Sequence, residues 1–155
     1  MYSKILVAVD ESDTSRHALQ QAIELAKNLS AALRLVHVVD MSWLPIGPEV
    51  AIDVEALRQA RYGAGKKVIA AACDAAKAAG FEAETVLAET EAPIQQVAEV
   101  IVNEASRWGA DLVVMGTHGR RGLQRLMLGS VAERVTRLST GPVFLVPLPE
   151  GAASG

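Results

Sequence analysis

Cysteine, aromatic residues and long apolar runs are all scarce in this chain. Its 155 residues include one cysteine, two tryptophans, two tyrosines and two phenylalanines. A single cysteine excludes an intramolecular disulfide framework. Because aromatic rings are so few, a core has to be filled by aliphatic side chains and alanine. Half of the residues are apolar, which is enough for one domain with a substantial core.

Further absences narrow the classes of function. No apolar run approaches the roughly 18 residues of a membrane span, and the N-terminus lacks the apolar segment of a secretory signal. The net charge of −3 is unlike that of a general nucleic-acid-binding protein, which is normally basic. No C-x-x-C or H-x-x-x-H spacing indicates a protein-only zinc site. We therefore expect a cytoplasmic protein without membrane insertion, nucleic-acid partner or protein-only zinc site.

Strand-like and helix-like segments alternate along the chain. The run 5–9 (ILVAV) predicts a strand buried on both faces, which is typical of a parallel sheet. The alternation in 82–88 indicates a strand at a sheet edge, and Pro93 is expected in the first turn of the third helix. The complete pattern predicts strands at 5–9, 32–39, 82–88, 111–115 and 143–146, and helices at 14–30, 53–79, from 93 onward and at 130–137.

A β-α-β-α-β-α-β-α-β order implies a doubly wound α/β sandwich with right-handed crossovers. We expect one domain over residues 1–148 and a disordered tail at 149–155. Ligands of such sheets bind outside the carboxyl ends of the strands, where the strand order reverses. The candidate loops are those after the first strand at Asp10, after the second at Val38–Asp40 and after the fourth from Gly116 onward.

The stretch after the fourth strand has the composition of a phosphate site. Glycines stand at Gly116, Gly119 and Gly129, and Ser130 opens a predicted helix. Glycine lets a backbone approach phosphate oxygens closely and adopt positive φ where a loop must curl, and the N-terminus of a helix favours anions. No acidic residue occurs between Asp111 and Glu133. The basic side chains of this interval are His118, Arg120, Arg121 and Arg125.

These segments resemble the universal stress protein family, in its ATP-binding branch. The family signature G-x2-G-x9-G-[ST] is matched without gaps by Gly116, Gly119, Gly129 and Ser130. The resemblance extends from KILVAVD at the start through LVHVV and VMGTHG to GSVAERV and PVFLVP near the end. It implies a three-layer α/β/α sandwich whose five-stranded parallel sheet has the order 3-2-1-4-5, the adenine-nucleotide alpha-hydrolase-like and Rossmann-like arrangement.

The resemblance also implies a ligand site, residue by residue. ATP would bind with Mg²⁺ or Mn²⁺ held mainly through its phosphates, and two copies of the chain would form a homodimer through Val143–Val146. Asp10 would contact the ribose hydroxyls or the metal, and the backbone of Val38 would hydrogen-bond the adenine. The remaining contacts are implied for Val9 as a pocket lining, for Met115 and Gly116 against the nucleoside, for His118 and Gly119 along the phosphate path, and for Gly129, Ser130 and Val131 on the phosphates.

For some residues, and for the protein as a whole, the sequence allows more than one role. Asp10 suits a helix cap or turn as well as a ligand contact, and His118 suits a loop residue, a phosphate donor or an acid-base group. His37 is expected to be a hydrogen-bonded core histidine, His17 an exposed helix residue and Cys73 a small core residue. For the whole protein the first hypothesis is a nucleotide-dependent regulatory protein of the stress response. The alternatives are a slow ATPase or phosphotransfer enzyme, and an ATP-independent dimeric interaction module.

Overall fold

Five parallel strands form the centre of the computed structural model, which describes residues 1–42, 53–91, 94–118 and 128–149. The strands are β1 (Lys4–Ala8), β2 (Ala32–Val39), β3 (Glu84–Glu89), β4 (Leu112–Gly116) and β5 (Val143–Val146). They lie in the order β3-β2-β1-β4-β5, and each neighbouring pair is parallel. The predicted order is confirmed, and β3 is an edge strand as its alternating pattern indicated.

Within the described residues, four helices cover the two faces of this sheet. They are α1 (Asp13–Leu29), α2 (Val54–Ala78), α3 (Val97–Trp108) and α4 (Ser130–Leu138). Successive residues of a strand point to opposite faces, so Ile5 and Val7 enter a core with α1 and α2, whereas Leu6 enters a second core with α3 and α4. The three-layer α/β/α architecture is therefore confirmed.

Small residues let the helices lie close to the sheet. Ala18, Ala22 and Ala26 are fully buried along α1. In α2 a Cβ atom at Gly65 would stand 2.6 Å from Cγ2 of Val39, a distance that real side chains do not adopt. By helix propensity alone, Gly65 would only weaken the helix. The structure shows that glycine is required there because α2 contacts the sheet at this position.

A polar cluster lies at the edge of the sheet opposite the predicted site. Nη1 of Arg34 donates to Oε1 of Glu104 at 2.8 Å, and Glu104 is only 3% exposed. The guanidinium carbon of Arg34 lies 4.6 Å from the centre of the Trp108 ring. Burial would lower the pKa of Arg34, but hydrogen bonds to Glu84 and Glu104 outweigh that effect and raise the pKa above its usual value. The cluster holds the C-terminal part of α3 against β2.

Asp111 joins the start of the chain to β4. Its Oδ2 accepts from the backbone N–H of Ser3 at 2.9 Å, and its Oδ1 accepts from that of Lys4 at 3.0 Å. Burial by itself would raise the pKa of this carboxyl group. The backbone hydrogen bonds from Ser3 and Lys4, together with one from the Ser3 hydroxyl, have the larger combined effect, so the pKa is lowered.

Helix α3 begins later than predicted. Its first residue is Val97 and its N-cap is Gln96, whereas the sequence analysis placed Pro93 in the first turn. Before it, the N–H of Gln95 donates to the carbonyl of Glu91 at 3.0 Å, and the Gln95 side chain accepts from the N–H of Glu91 at 3.0 Å. This local turn uses groups that a longer helix would need. Pro93 itself and the tail from residue 150 onward lie outside the described residues.

Only some of the expectations for single residues are confirmed. His37 is hydrogen-bonded as expected, through Nδ1 to the carbonyl of Val9 at 2.7 Å, although it is only partly buried. Cys73 and His17 are both partly buried, so the expectations of a core cysteine and an exposed histidine are wrong. Ala72 and Ala76 fill the core beside Cys73 instead. Within the described residues, no helix combines the length and apolar character needed to cross a membrane.

Candidate functional site

A turn stabilised by hydroxyl groups follows β1 at the carboxyl edge of the sheet. Oδ1 of Asp10 accepts from the N–H of Ser12 at 2.7 Å, and the N–H of Asp10 donates to Oγ of Ser15 at 2.9 Å. Ser12, rather than Asp10, is the N-cap of α1, because its Oγ accepts from the N–H of Ser15 at 3.1 Å. The turn role that the sequence left open for Asp10 is therefore present.

Gly116, the first glycine of the motif, ends β4 directly against α1. A Cβ atom there would stand 2.9 Å from Cγ2 and 3.1 Å from the carbonyl carbon of Thr14. Gly80 and Gly109 are the described glycines with positive φ, and Gly129 has φ −62°. Gly116 and Gly129 thus do not supply the positive φ that the sequence analysis allowed for. Gly116 is needed for close packing of α1.

Thr117, which follows Gly116, connects the end of β5 to Gly129. Its N–H donates to the carbonyl of Val146 at 3.1 Å, and its carbonyl accepts from the N–H of Gly129 at 2.8 Å. Because the Gly129 N–H is used in this way, it is not available to a ligand in this structure. The N–H groups of Ser130 and Val131, which open α4, are the ones that remain from the predicted phosphate contacts.

Two helices begin here without a capping side chain. Gly129, the N-cap of α4, and Gln96, the N-cap of α3, provide no side-chain hydrogen bond to their helices. The N-caps of α1 and α2, by contrast, are Ser12 and Asp53, and each side chain accepts a backbone N–H of its own helix. Uncapped N–H groups at a helix N-terminus favour anionic ligands.

The first turns of α3 and α4 open onto the same cleft. Its volume is about 580 Å³, which is within the usual range of small-molecule sites. Its lining comes from the end of β2, the first turn of α3 and one face of α4. The lining residues are Asp40, Ser42, Ile94, Gln96, Val97, Ala98, Ser130, Val131, Glu133, Arg134 and Arg137.

The charges in the cleft are mixed, with two arginines along α4. Nη2 of Arg134 lies 3.5 Å from Oε1 of Glu99, while Nε of Arg134 is buried and has no hydrogen-bond partner among the described residues. Arg137 pairs with Glu133 one turn earlier on the helix. Ile94, at 85% exposed, and Val131, at 36%, add apolar surface to the lining. The cleft thus combines N–H donors, guanidinium groups and an apolar wall.

The predicted site residues are only partly brought together. Ser130 and Val131 line the cleft. The side chains of Val38 and Met115 are buried between the sheet and α3/α4, whereas that of Val9 is buried on the α1/α2 face. The backbone of Val9 is used within the protein, because its N–H donates to the carbonyl of Val36 at 2.9 Å and its carbonyl lies 2.7 Å from Nδ1 of His37. At this edge Val38 is therefore the candidate of the two for a backbone contact with a ligand. Gly119 lies outside the described residues, as do Arg120, Arg121 and Arg125.

Arg134, Arg137 and Gln96 of the cleft were not predicted from the sequence. Arg134 and Arg137 follow Ser130 by four and seven residues, a spacing that places them on one face of a helix. That periodicity could have identified them once the start of α4 was predicted. Gln96 was not recognised because the predicted third helix began too early, so that Gln96 fell inside the helix rather than at its N-cap.

Comparison with known proteins identifies relatives in the universal stress protein family. The model of the universal stress protein family matches residues 1–147. The universal stress protein YxiE of Bacillus subtilis is 37% identical over 154 residues, which cover 94% of this chain and 99% of the relative. Among solved structures, a universal stress protein family member from Burkholderia pseudomallei is 35% identical, with a TM-score of 0.75 and coverage of 95% of this chain and 97% of the other.

Two similar structures contain nucleotides. One is the universal stress protein from Archaeoglobus fulgidus in complex with dAMP, which is 27% identical, with a TM-score of 0.64 and coverage of 94% of this chain and 98% of the other. The second is a universal stress protein in complex with cAMP, also 27% identical, with a TM-score of 0.66 and coverage of 94% and 97%.

Proposed function

The chain belongs to the universal stress protein family, and from this premise we propose that it binds ATP and acts as a nucleotide-dependent regulatory protein of the stress response. The observation that carries the proposal is the convergence of two uncapped helix N-termini on one cleft. Such termini favour phosphate groups. The dAMP and cAMP complexes of similar structures support an adenine nucleotide as the ligand.

The cleft has the chemistry that a nucleotide requires. Its volume of about 580 Å³ suits a drug-sized ligand, and Ser130 offers a hydroxyl as well as an N–H. Apolar surface at Ile94 and Val131 can contact a base or ribose, and Arg134 can pair with a phosphate oxygen. These properties support the assignment of the phosphates to the first turn of α4.

The expected contacts are as follows. The phosphates lie at Ser130 and Val131, with His118, Gly119 and Gly129 along their path. The nucleoside lies against the carboxyl ends of β1, β2 and β4, where Val9, Asp10, Val38, Met115 and Gly116 end or follow the strands. A Mg²⁺ or Mn²⁺ ion bound mainly to phosphate oxygens would neutralise their charge, and the resemblance implies Asp10 as a carboxylate that contacts this metal or the ribose.

Binding is favoured over hydrolysis. An ATPase needs a group that orients the attacking water. Asp13, a carboxylate in the first turn of α1, is exposed and pairs with Arg16 of its own helix. His118 has the hydroxyl of Thr117 beside its Nδ1 rather than a carboxylate. We therefore expect ATP to remain intact on the protein over hours.

Calorimetry with ATP and Mg²⁺ tests the proposal directly. We expect saturable binding, with affinity decreasing stepwise from wild type to Ser130→Ala and Ser130→Pro. The alanine variant loses the hydroxyl, which should weaken binding roughly tenfold. The proline variant loses the N–H as well, yet proline is tolerated at the first position of a helix.

The matched control is Ser106→Ala, an exposed serine near the end of α3 at the opposite edge of the sheet. It should bind ATP like wild type, and all variants should keep the far-UV circular dichroism of wild type. A wild-type protein that binds neither ATP nor AMP would contradict the proposal. Mass spectrometry of the incubated nucleotide would detect ADP if the slow ATPase were the correct alternative.

A further inference from the structure

Thr117 uses all three of its polar groups to connect parts of the candidate site. Its N–H donates to the carbonyl of Val146 at 3.1 Å, and its carbonyl accepts from the N–H of Gly129 at 2.8 Å. Its Oγ1 lies 3.0 Å from Nδ1 of His118. The backbone contacts hold Thr117 between the end of β5 and the cap of α4, so its hydroxyl has a fixed position relative to the His118 ring.

The other ring nitrogen of His118, Nε2, differs from Nδ1 in its surroundings. Nε2 is buried and has no hydrogen-bond partner among the described residues. A buried polar atom without a partner costs free energy that a bound ligand can recover. His118 directly follows the residue that accepts from Gly129, the N-cap of α4. His118 is therefore next in sequence to a residue that is bonded to the N-terminus of α4.

We infer that Thr117 is a positioning residue that holds His118 as an Nε2–H donor to a phosphate oxygen of the bound nucleotide. The inference rests on the proposed function. In a neutral imidazole one nitrogen donates and the other accepts. When the Thr117 hydroxyl donates to Nδ1, the ring proton is placed on Nε2, and Nε2–H is the group that an anion requires.

Selectivity for phosphorylated ligands follows from this arrangement. An Nε2–H bond to a phosphate oxygen is charge-assisted, and such bonds are stronger than neutral ones. Adenosine, which lacks a phosphate, makes no such contact. The Thr117 hydroxyl therefore contributes to the affinity for ATP and AMP, and contributes nothing to the affinity for adenosine.

The ¹⁵N chemical shifts of the His118 ring in the full chain test the tautomer. We expect wild type to carry the proton on Nε2, and Thr117→Val to lose this preference. Valine has nearly the shape of threonine, so the two backbone hydrogen bonds and the fold remain. A wild-type ring protonated on Nδ1 alone would overturn the inference.

Calorimetry with ATP, AMP and adenosine tests the role. Thr117→Val should bind ATP and AMP roughly tenfold more weakly and adenosine like wild type. Thr117→Ser, which keeps the hydroxyl, should restore ATP affinity. His118→Gln, whose amide nitrogen reaches the place of Nε2, should bind ATP more tightly than His118→Asn, whose amide reaches only that of Nδ1. Thr140→Val, an exposed threonine before β5, is the matched control and should leave ATP affinity unchanged.

The outcomes separate the two levels of the proposal. Wild type that binds no nucleotide would remove the proposed function, and the role of Thr117 with it. Wild type that binds ATP, together with Thr117→Val of equal ATP affinity, would overturn only the inference. Thr117→Val that loses adenosine and ATP affinity equally would show a structural role, and would also overturn it.

Discussion

At the scale of single residues, backbone N–H groups are bonded differently at the carboxyl ends and at the amino ends of the strands. At the carboxyl edge, Ser130 and Val131 begin a helix whose N-cap, Gly129, has no side chain to accept from them. At the other edge, the carboxylate of Asp111 accepts from the N–H groups of Ser3 and Lys4. The N–H groups that begin α4 therefore have no side-chain acceptor from their N-cap, whereas the N–H groups of Ser3 and Lys4 are bonded within the protein.

Asp111→Asn should destabilise the fold in a pH-dependent way. Because the folded-state pKa is lowered, the carboxylate stabilises the fold above its unfolded pKa of about 3.9. That stabilisation is lost as the pH falls through the lowered folded pKa. We expect the variant to lose about 1 kcal/mol of unfolding free energy at pH 7, and the difference from wild type to shrink below pH 4.

Urea denaturation at several pH values measures this difference. Asp74→Asn, an exposed aspartate of α2, is the matched control and should follow the wild-type stability at every pH. A constant difference between wild type and Asp111→Asn down to pH 2 would contradict the linkage.

At the scale of the element, α2 shows that helix propensity and packing can oppose each other. Gly63 and Gly65 both lower the propensity of this helix, yet their surroundings differ. A Cβ atom at Gly63 would meet nothing within 4 Å, whereas one at Gly65 would meet Val39 at 2.6 Å and Leu87 at 3.2 Å. Only Gly65 lies where the helix touches β2 and β3.

Alanine substitutions at these two glycines should therefore have opposite effects. Gly63→Ala should raise the free energy of unfolding by roughly 0.5–1 kcal/mol, because alanine favours the helix. Gly65→Ala should lower it by about 1–3 kcal/mol, because the methyl group overpacks the contact with Val39. Chemical denaturation of both variants checks the pair. Equal or reversed changes would show that α2 does not approach the sheet at Gly65 in solution.

At the scale of the whole molecule, the two edge strands, β3 and β5, differ in how well charged residues protect them from pairing with another strand. The β3 edge has Glu84 and Glu89 on its strand, and charged residues discourage pairing of exposed edges. The β5 edge has the sequence VFLV without any charge. Phe144 on that strand is 46% exposed. We propose β5 as the homodimer strand because a second copy would satisfy its free edge and cover Phe144.

Phe144→Asp should convert the dimer into monomers, since a buried and unpaired carboxylate at the interface is costly. Light scattering coupled to gel filtration measures the mass. Thr85→Asp, an exposed position on the opposite edge strand, is the matched control and should remain dimeric. A Phe144→Asp dimer, or a wild-type monomer at micromolar concentration, would contradict pairing through β5.

The sequence determined the architecture and the general place of the site. Apolar runs such as 5–9 and the alternating helices required a buried parallel sheet, because a strand without polar residues must be covered on both faces. The resemblance then gave the strand order, which the structure confirms. Ser130 was predicted at the start of a helix, and α4 begins there. The buried strands and the start of α4 follow from local patterns within single segments, whereas the strand order follows from the resemblance of the whole chain.

Only the tertiary structure decided which residues share the site. Gly116 and Gly65 are required by neighbours distant in sequence, Thr14 and Val39. Gln96 and Arg134 meet across one cleft because α3 and α4 pack side by side on the sheet. Such contacts depend on distances between elements, and periodicity within one segment contains no information about them. The sequence therefore determined which edge could hold a ligand, and packing between helices determined the shape and the donors of the cleft.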